Sequence, residues 1–394
     1  MNSEDGKKST NTTMPPQFKT ILLWTNYYSV EWSMSGFEYN ALCPNRCRII
    51  NDRNEFDSAA AILFHSAAWD LSLNDLPTSR QPDQYFVYYN QEPPPKSSWK
   101  DLEGVWQSFP SHFFNLTMTY RTDSDIVAPY DRFVSKAERI NGVPYEEHVW
   151  DDVVAAVRRK TKLGLQFVGN CYSESGRESI VRALQRYISI DQFGYCAGRQ
   201  CDYSCEQRIL PDYRFFIAFE NNICRDYVTE KFWRLKRLIV PIVLRASILD
   251  GIAPDDSFIA VDQFQSVAAL AAHLEMLSRN ETEYLRYFEW TRDYQKIEAP
   301  RSEAFCRLCD RLHAPTIKHK SYEDMVAWYY PIEVCQVKHF NYVREVLYMW
   351  GRFIALCTLG CASVLLLCMI VFRNCLRHQY SYQKLIQSEE NKLP

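Results

Sequence analysis

The sequence has no concentrated positive charge. Its 394 residues carry 45 Lys and Arg against 48 Asp and Glu, a formal charge of −3, and no Lys/Arg-rich run breaks the mixture. A nucleic-acid backbone needs clustered cations, so that class of partner receives no support and any basic site must be local. No internal repeat or low-complexity block occurs, which leaves an ordinary globular architecture. Residues 1 to 40 contain nothing that resembles a signal peptide or anchor. Residues 1–17 are polar, with Lys7, Lys8 and Pro15-Pro16, and are expected to be a disordered N-terminus.

Charge is missing altogether from one stretch near the other end. Phe353 to Phe372 is a run of 20 uncharged, largely apolar residues between Arg352 and Arg373, the length of a single transmembrane helix. A buried core helix is the alternative. Lys338, Arg344 and Arg352 before the run balance Arg373, Arg377 and Lys384 in the 373–394 tail, so the positive-inside rule gives no orientation.

The remainder has the makings of packed cores. A composition of 47% hydrophobic and 24% charged residues over this length allows two ordinary domains. Apolar or alternating runs at Thr20 to Trp24, Ala59 to Phe64, Tyr85 to Tyr89 and Leu116 to Tyr120 predict strands of a first α/β domain, residues 18–160, with a helix from Trp150 to Arg159 near its end. A second domain, residues 161–345, opens with the strand LGLQFVGN and a helix from Arg177 to Tyr187 whose Ile180, Val181 and Leu184 share one face. The runs ISIDQFG, RFFIAFE, LIVPIVL and FIAV continue as strands, and Ser266 to Leu277 and Thr282 to Lys296 as helices. Such alternation predicts parallel sheets covered by helices, and two such domains enclose a cleft at the carboxyl ends of their strands.

Ten of the 14 cysteines precede residue 350, an even number that suits disulfides in an oxidising compartment. Spacing alone also permits a Cys3His zinc set from Cys306-x2-Cys309 and Cys335-x3-His339. Asn11-Thr-Thr, Asn115-Leu-Thr and Asn280-Glu-Thr are N-glycosylation sequons, usable only in a secretory lumen. Asn115 precedes an apolar alternating strand, where burial would block modification.

The densest chemistry lies between Tyr213 and Val243, YRFFIAFENNICRDYVTEKFWRLKRLIVPIV. A buried strand ends at Glu220-Asn221, and a polar turn leads to a predicted helix with Asp226 as its N-cap. Tyr227, Glu230 and Lys231, at i, i+3 and i+4, would share one helical face. A helix N-terminus with a lysine beside it suits a diphosphate, and a glutamate suits ribose hydroxyls.

This segment resembles the donor-binding signature of the α1,3-fucosyltransferases, glycosyltransferase family ten. ILLWT at Ile21 to Thr25, Asp52-Arg53 through AAAILFH at Ala59 to His65, QEPP at Gln91 to Pro94 and NLTMTYRTDSDIVAPY at Asn115 to Tyr130 follow in the family's order, so the resemblance spans roughly Thr20 to Cys335. It implies a GT-B architecture of two Rossmann-like domains: an acceptor-side domain and a GDP-fucose-binding domain. It implies inverting transfer of L-fucose from GDP-fucose to a GlcNAc hydroxyl of a glycoprotein glycan, an N-glycan in the first instance.

Inversion by single displacement requires one base and positive charge for the departing diphosphate. By resemblance Glu92, at a strand exit followed by Pro93 to Pro95, is the base. Arg177, Asn221, Tyr227, Glu230 and Lys231 bind the donor, Arg177 standing 17 residues before Gly194 as the family's arginine does before its glycine. No cofactor is required beyond GDP-fucose as co-substrate. Asp123-Ser-Asp125 has the form of a metal motif, but its surroundings match an acceptor-side segment, so structural or acceptor contacts are expected, with manganese or magnesium stimulation left open. The family's C-x2-C near the end of the catalytic region favours disulfides over zinc. The partners implied are GDP-fucose, a glycan or glycoprotein acceptor and a Golgi membrane, with the catalytic region luminal.

Three departures stand out. Pro93 replaces a serine after the base. The helix exit at Lys236 to Ile239 lacks the family's glycine. The apolar run is C-terminal where family members carry an N-terminal anchor, which suggests a chain lacking an upstream segment. Alternatives remain: a protein O-fucosyltransferase of the same family, left open by Phe232-Trp233-Arg234, and a catalytically silent glycan-binding relative.

Overall fold

The computed structural model describes residues 18–26, 43, 45–66, 75–94, 109–139, 145–297, 300–314, 320–330 and 335–336, together with 354, 357–358, 360 and 363–373. The expectations for residues 1–17, for Asn11, for His339 and for the tail beyond 373 lie outside these, as does part of the 353–372 run. The chain divides into a unit of residues 1–337 and a separate unit of residues 338–394. In the latter, residues 363–373 are helical and exposed. No helix among the described residues is long and apolar enough to cross a membrane.

The larger unit is built on two parallel sheets. The first runs β2-β1-β3-β4-β5-β6, from β1 (Lys19–Leu23), β2 (Cys47–Ile50), β3 (Ala61–His65), β4 (Tyr85–Asn90), β5 (Leu116–Thr119) and β6 (Ile126–Val127). Alternate residues face opposite sides, as a strand's two-residue period requires. Ile21, Leu23, Leu63, Val87 and Met118 pack on one face, while Leu22, Ile62, Phe64, Phe86 and Tyr88 pack on the other. Both faces are apolar, which is why these strands appear as continuous hydrophobic runs. Two short strands follow, β7 (Val134–Ser135) and β8 (Tyr145–Glu146), and then α1 (Trp150–Arg159).

The second sheet has the order β10-β9-β11-β13-β14. Its strands are β9 (Lys162–Phe167), β10 (Ile190–Phe193), β11 (Tyr213–Ile217), β13 (Val240–Val243) and β14 (Ile259–Ala260). Between them lie α2 (Arg177–Leu184), α3 (Tyr203–Ile209), the two-residue strand β12 (Ile223–Cys224) and α4 (Glu230–Trp233). Phe215, Ile217, Val240 and Ile242 meet α1, α2 and the later helices α5 (Val267–Arg279) and α6 (Glu281–Arg286) on one face. Phe216, Ala218 and Val243 meet Phe232, Trp233 and Leu235 on the other.

The helix expected from Thr282 to Lys296 ends early. After α6 and a 3-10 turn the chain forms β15 (Tyr294–Ile297), which pairs antiparallel with β7 and β8. Tertiary pairing with those strands outweighs the helical pattern there.

The chain then returns to the first sheet. α7 (Pro300–His313) places Phe305, Leu308 and Leu312 on one face of it, and α8 (Met325–Tyr329) places Met325 and Tyr329 on the other. Cys43–Cys306 and Cys47–Cys309 clasp α7 to the first sheet across 263 and 262 residues. Cys171–Cys196, Cys201–Cys205 and Cys224–Cys335 complete five bridges, the last beside the pairing of β12 with β16 (Cys335–Gln336). All ten cysteines before residue 350 are thereby bonded, so Cys306, Cys309 and Cys335 are not thiolate zinc ligands.

Candidate active site

A cavity of about 400 Å³ opens where the carboxyl ends of the two sheets approach one another. Glu92 lines it from the first sheet, and Arg177, Asn221, Tyr227, Glu230 and Lys231 line it from the second. Six residues singled out from the sequence are thus brought to one cavity, although they span 140 positions from Glu92 to Lys231.

Glu92 follows β4 and its backbone is held from both sides. Its N–H donates to the buried Asn90 Oδ1 at 2.8 Å, and its carbonyl accepts from Tyr329 on α8. Tyr130 donates to the preceding carbonyl, that of Gln91, at 3.1 Å. The Glu92 carboxylate accepts a hydrogen bond from Tyr227 at 3.2 Å, a contact between the two halves of the cleft. Burial pushes the Tyr227 phenol well above its ordinary range, with Tyr130 and Glu92 adding to the effect, so this hydroxyl remains a donor.

The first turn of α2 supplies Arg177, buried at 3% exposure. Its Nη1 donates to the Phe219 carbonyl at 2.7 Å and its Nη2 to the Asn170 carbonyl at 3.1 Å, so the guanidinium spans the ends of β11 and β9. Five N–H donors in a planar fork leave capacity toward the cavity after two carbonyls are served. The buried Asn221 Oδ1 has no hydrogen-bond donor among the described residues. Gly194 forms another part of the wall at φ 104°, where a Cβ would lie 2.5 Å from the Val168 carbonyl oxygen. Only glycine allows the ends of β9 and β10 to come this close.

Behind the cavity sits an acid that the sequence reading treated only as a strand end. The Glu220 side chain is 2% exposed; its carboxylate accepts from Thr229 N–H and Oγ1, each at 2.8 Å, and from Lys231 Nζ at 3.0 Å. Lys231 also donates to Thr229 Oγ1 at 2.6 Å and lies 3.2 Å from the Glu230 carboxylate. Burial opposes the charge on Lys231, but Glu220 and Glu230 hold its pKa above the usual lysine value. Burial likewise pushes Glu230 upward, yet Lys231 and Arg234 hold it below the usual carboxylate range. Arg234, stacked 4.9 Å over the Phe216 ring, and Glu206, which it binds at 2.9 Å, close the far side of the cavity. These two and Tyr130 were not singled out from the sequence, and a single ion pair between separate elements leaves no periodic signal there.

The local structure around Tyr227 differs from expectation. Asp226 is not a helix N-cap: it adopts φ 65°, and its carboxylate accepts from Thr122 N–H at 3.0 Å and Thr122 Oγ1 at 2.8 Å. The helix begins at Glu230 and lasts four residues. Tyr227 therefore reaches the cavity from a tight turn, its N–H donating to the Cys224 carbonyl at 3.2 Å, and so short a helix contributes little dipole. The capping strength of Asp226 is spent on the loop after β5, and the Cys224–Cys335 bridge anchors the turn beside it.

At the exit, Leu238 occupies the left-handed position, φ 57° and ψ 49°, that a glycine normally takes. Lys236, 6% exposed, leaves this turn to bind Asp131 at 2.7 Å and the Arg132 carbonyl at 2.8 Å.

Both carboxylates of Asp123-Ser-Asp125 are already committed. Asp123 binds Arg121 and Arg225, the second at 3.0 Å. Asp125 accepts from Thr117 and from Tyr322 at 2.8 Å and pairs with Lys320. The Arg121 and Arg225 charges hold Asp123 below the usual range even though burial pushes it upward.

A cleft at the carboxyl edges of two parallel sheets, with an acid on one side and paired cations on the other, is the arrangement of a two-lobed α/β transferase. Residues 16–131 match the family model "Fucosyltransferase, N-terminal", and residues 157–328 match "Glycosyltransferase family 10 (fucosyltransferase) C-term". Alpha-(1,3)-fucosyltransferase C of Drosophila melanogaster is 32% identical over 342 residues, covering 79% of this chain and 78% of its own. Alpha-(1,3)-fucosyltransferase fut-6 of Caenorhabditis elegans is 32% identical over 343 residues, covering 82% and 83%. The human 3-galactosyl-N-acetylglucosaminide 4-alpha-L-fucosyltransferase FUT3 is 30% identical over 337 residues, covering 83% and 86%. A crystal structure of an alpha1,3-fucosyltransferase with GDP-fucose aligns over 80% of this chain and 96% of its own at 14% identity, with a TM-score of 0.48. The chain belongs to glycosyltransferase family 10, the fucosyltransferases.

Proposed function

We propose that this chain is an inverting α1,3-fucosyltransferase that moves L-fucose from GDP-fucose to a GlcNAc hydroxyl of a glycoprotein glycan, an N-glycan in the first instance. The observation that carries this reading is the single cavity in which Glu92 faces Lys231 and Arg177. The GDP moiety lies against the second sheet, its diphosphate toward Arg177 and Lys231, with Asn221 contributing an acceptor. Glu230, whose side chain is 57% exposed, turns to the ribose hydroxyls and frees an ammonium hydrogen of Lys231 for phosphate. The acceptor hydroxyl loses its proton to Glu92 as its oxygen attacks the anomeric carbon, and GDP departs from the opposite face with the bonding pair. Tyr227 holds the Glu92 carboxylate in place between the two halves.

The names of the fly and worm relatives support the α1,3 linkage, that of the human 4-alpha-L-fucosyltransferase supports the GlcNAc acceptor, and the paired parallel sheets support a GT-B assignment. Five disulfides support an oxidising lumen, and the uncharged run 353–372 supports a membrane span, hence a Golgi membrane protein with a luminal catalytic region. The engaged carboxylates of Asp123 and Asp125 support a reaction without a resident metal.

The test is transfer of labelled fucose from GDP-fucose to a panel of N-glycans, free N-acetyllactosamine-type glycans and folded protein domains, with linkage assignment of the product. Transfer to a GlcNAc 3-hydroxyl is expected. A chain that binds GDP-fucose and modifies nothing, or modifies only Ser/Thr of folded domains, overturns the proposal.

A further inference from the structure

The two sequons among the described residues, at Asn115 and Asn280, differ in their surroundings. Asn115 is 6% exposed and both ends of its amide are in use. Oδ1 accepts from Arg80 at 2.6 Å and Phe86 N–H at 3.0 Å, and Nδ2 donates to the Lys320 carbonyl at 3.1 Å. Thr117 of the same sequon is fully buried and bonded to Asp125. A sugar on Nδ2 of Asn115 would break the hydrogen bond to Lys320 and require space that the strand packing does not leave.

Asn280 stands at the junction of α5 and α6, and Asn280, Glu281 and Thr282 are all exposed. Its Oδ1 caps α6 by accepting the Glu283 N–H at 3.2 Å, and its own N–H donates back to Met276 at 3.1 Å. Its Nδ2 makes no hydrogen bond among the described residues. N-glycosylation consumes an Nδ2 hydrogen and leaves Oδ1 in place, so the helix cap and the modification use different atoms of one side chain. The adjacent Glu281 pairs with Arg158 at the end of α1, at 3.0 Å. Arg158 precedes the first residue of β9, whereas the cavity lies beyond its last, so Asn280 is at the edge of the sheet remote from the cleft.

We propose that Asn280 is an N-glycosylation site of this protein and that Asn115 is not, an inference that rests on the luminal placement proposed above. An oligosaccharide is transferred from a lipid-linked pyrophosphate donor: its anomeric carbon bonds to Asn280 Nδ2, the amide gives up a proton, and the lipid pyrophosphate leaves. The glycan covers the α5–α6 corner, beside the half-exposed Met276, without entering the cleft.

The full chain, produced in secretory eukaryotic cells, is mapped by peptide mass spectrometry under non-reducing conditions before and after endoglycosidase. The expected result is an intact Cys47–Cys309 bridge, a glycan on Asn280 and a bare Asn115. Thr282→Ala, which keeps the capping asparagine, removes that glycan and leaves fucosyl transfer unchanged, whereas Thr282→Ser retains it. A bridged chain with a bare Asn280, or an active chain glycosylated at Asn115, overturns the site assignment alone. Reduced Cys47 and Cys309 together with bare Asn115 and Asn280 overturn the luminal placement and the assignment with it.

Discussion

Replacing Glu220 by Gln keeps the shape of a buried side chain while removing its charge. In the protein this carboxylate receives Thr229 N–H, Thr229 Oγ1 and Lys231 Nζ within 3.0 Å. Gln retains one acceptor for the Thr229 amide but turns an NH2 toward the ammonium, so a donor faces a donor. A hydrogen bond to a charged group contributes about 1.5–3 kcal/mol. If Lys231 needs this bond to meet the diphosphate, kcat/KM for GDP-fucose falls by roughly 10- to 150-fold.

Stability falls as well, but by less than the ~3–5 kcal/mol of a broken buried pair, because Lys231 is 18% exposed and keeps Glu230 at 3.2 Å. Glu220 also helps to hold the Lys231 pKa up, so the alkaline limb of the pH–rate profile moves to lower pH in Glu220→Gln. The assays are steady-state kinetics across pH and thermal unfolding. A folded Glu220→Gln enzyme with wild-type kcat/KM and an unmoved alkaline limb would refute the reasoning.

Other outcomes follow from the packing. Lys160 is 3% exposed, donates to the Tyr213 and Pro211 carbonyls, and is pushed down to about 7 by burial, with Arg214 and Arg159 adding repulsion. Its folded pKa lies below its unfolded one, so the unfolded chain binds the extra proton between them and stability rises with pH from 7 toward 10.5. From pH 7 to 9 this group alone contributes roughly 2 kcal/mol, which denaturant titrations of wild type and Lys160→Met compare as a difference in slope. The clasp at α7 should be non-additive. Losing either Cys43–Cys306 or Cys47–Cys309 leaves its neighbour closing nearly the same loop and costs about 2–3 kcal/mol in the chain-entropy model, whereas losing both costs about 8. Equal melting shifts for the single and double Cys→Ser variants would contradict that. Leu238→Val places a β-branched residue at φ 57°, a conformation such residues tolerate less than leucine does, so a lower midpoint is expected in chemical denaturation, and an unchanged midpoint would argue against the left-handed exit.

Much of the sheet architecture was legible because it depends on local pattern. Strands buried on both faces appear as unbroken apolar runs, and the Trp150–Arg159 helix coincides with its expected limits. Tertiary interactions account for what was not legible. Asp226 has the chemistry of an N-cap, but its partner is Thr122, more than 100 positions away, and no local window contains that competition. The return of α7 to the first sheet depends on disulfides spanning more than 260 residues, whose connectivity spacing cannot reveal. Glu220 was visible as the end of a strand. Its grip on Lys231 depends on how the intervening turn folds, so its importance appears only in three dimensions.

The central claim is that Glu92 serves the chemical step while the second sheet holds the donor. Glu92→Gln and Lys231→Ala are compared with wild type by GDP-fucose binding calorimetry and single-turnover transfer of labelled fucose to an N-glycan acceptor. Glu92→Gln should bind the donor within a few-fold of wild type and lose about 100-fold or more in the chemical step, while Lys231→Ala should lose donor affinity as well. Full single-turnover activity in Glu92→Gln would contradict the account.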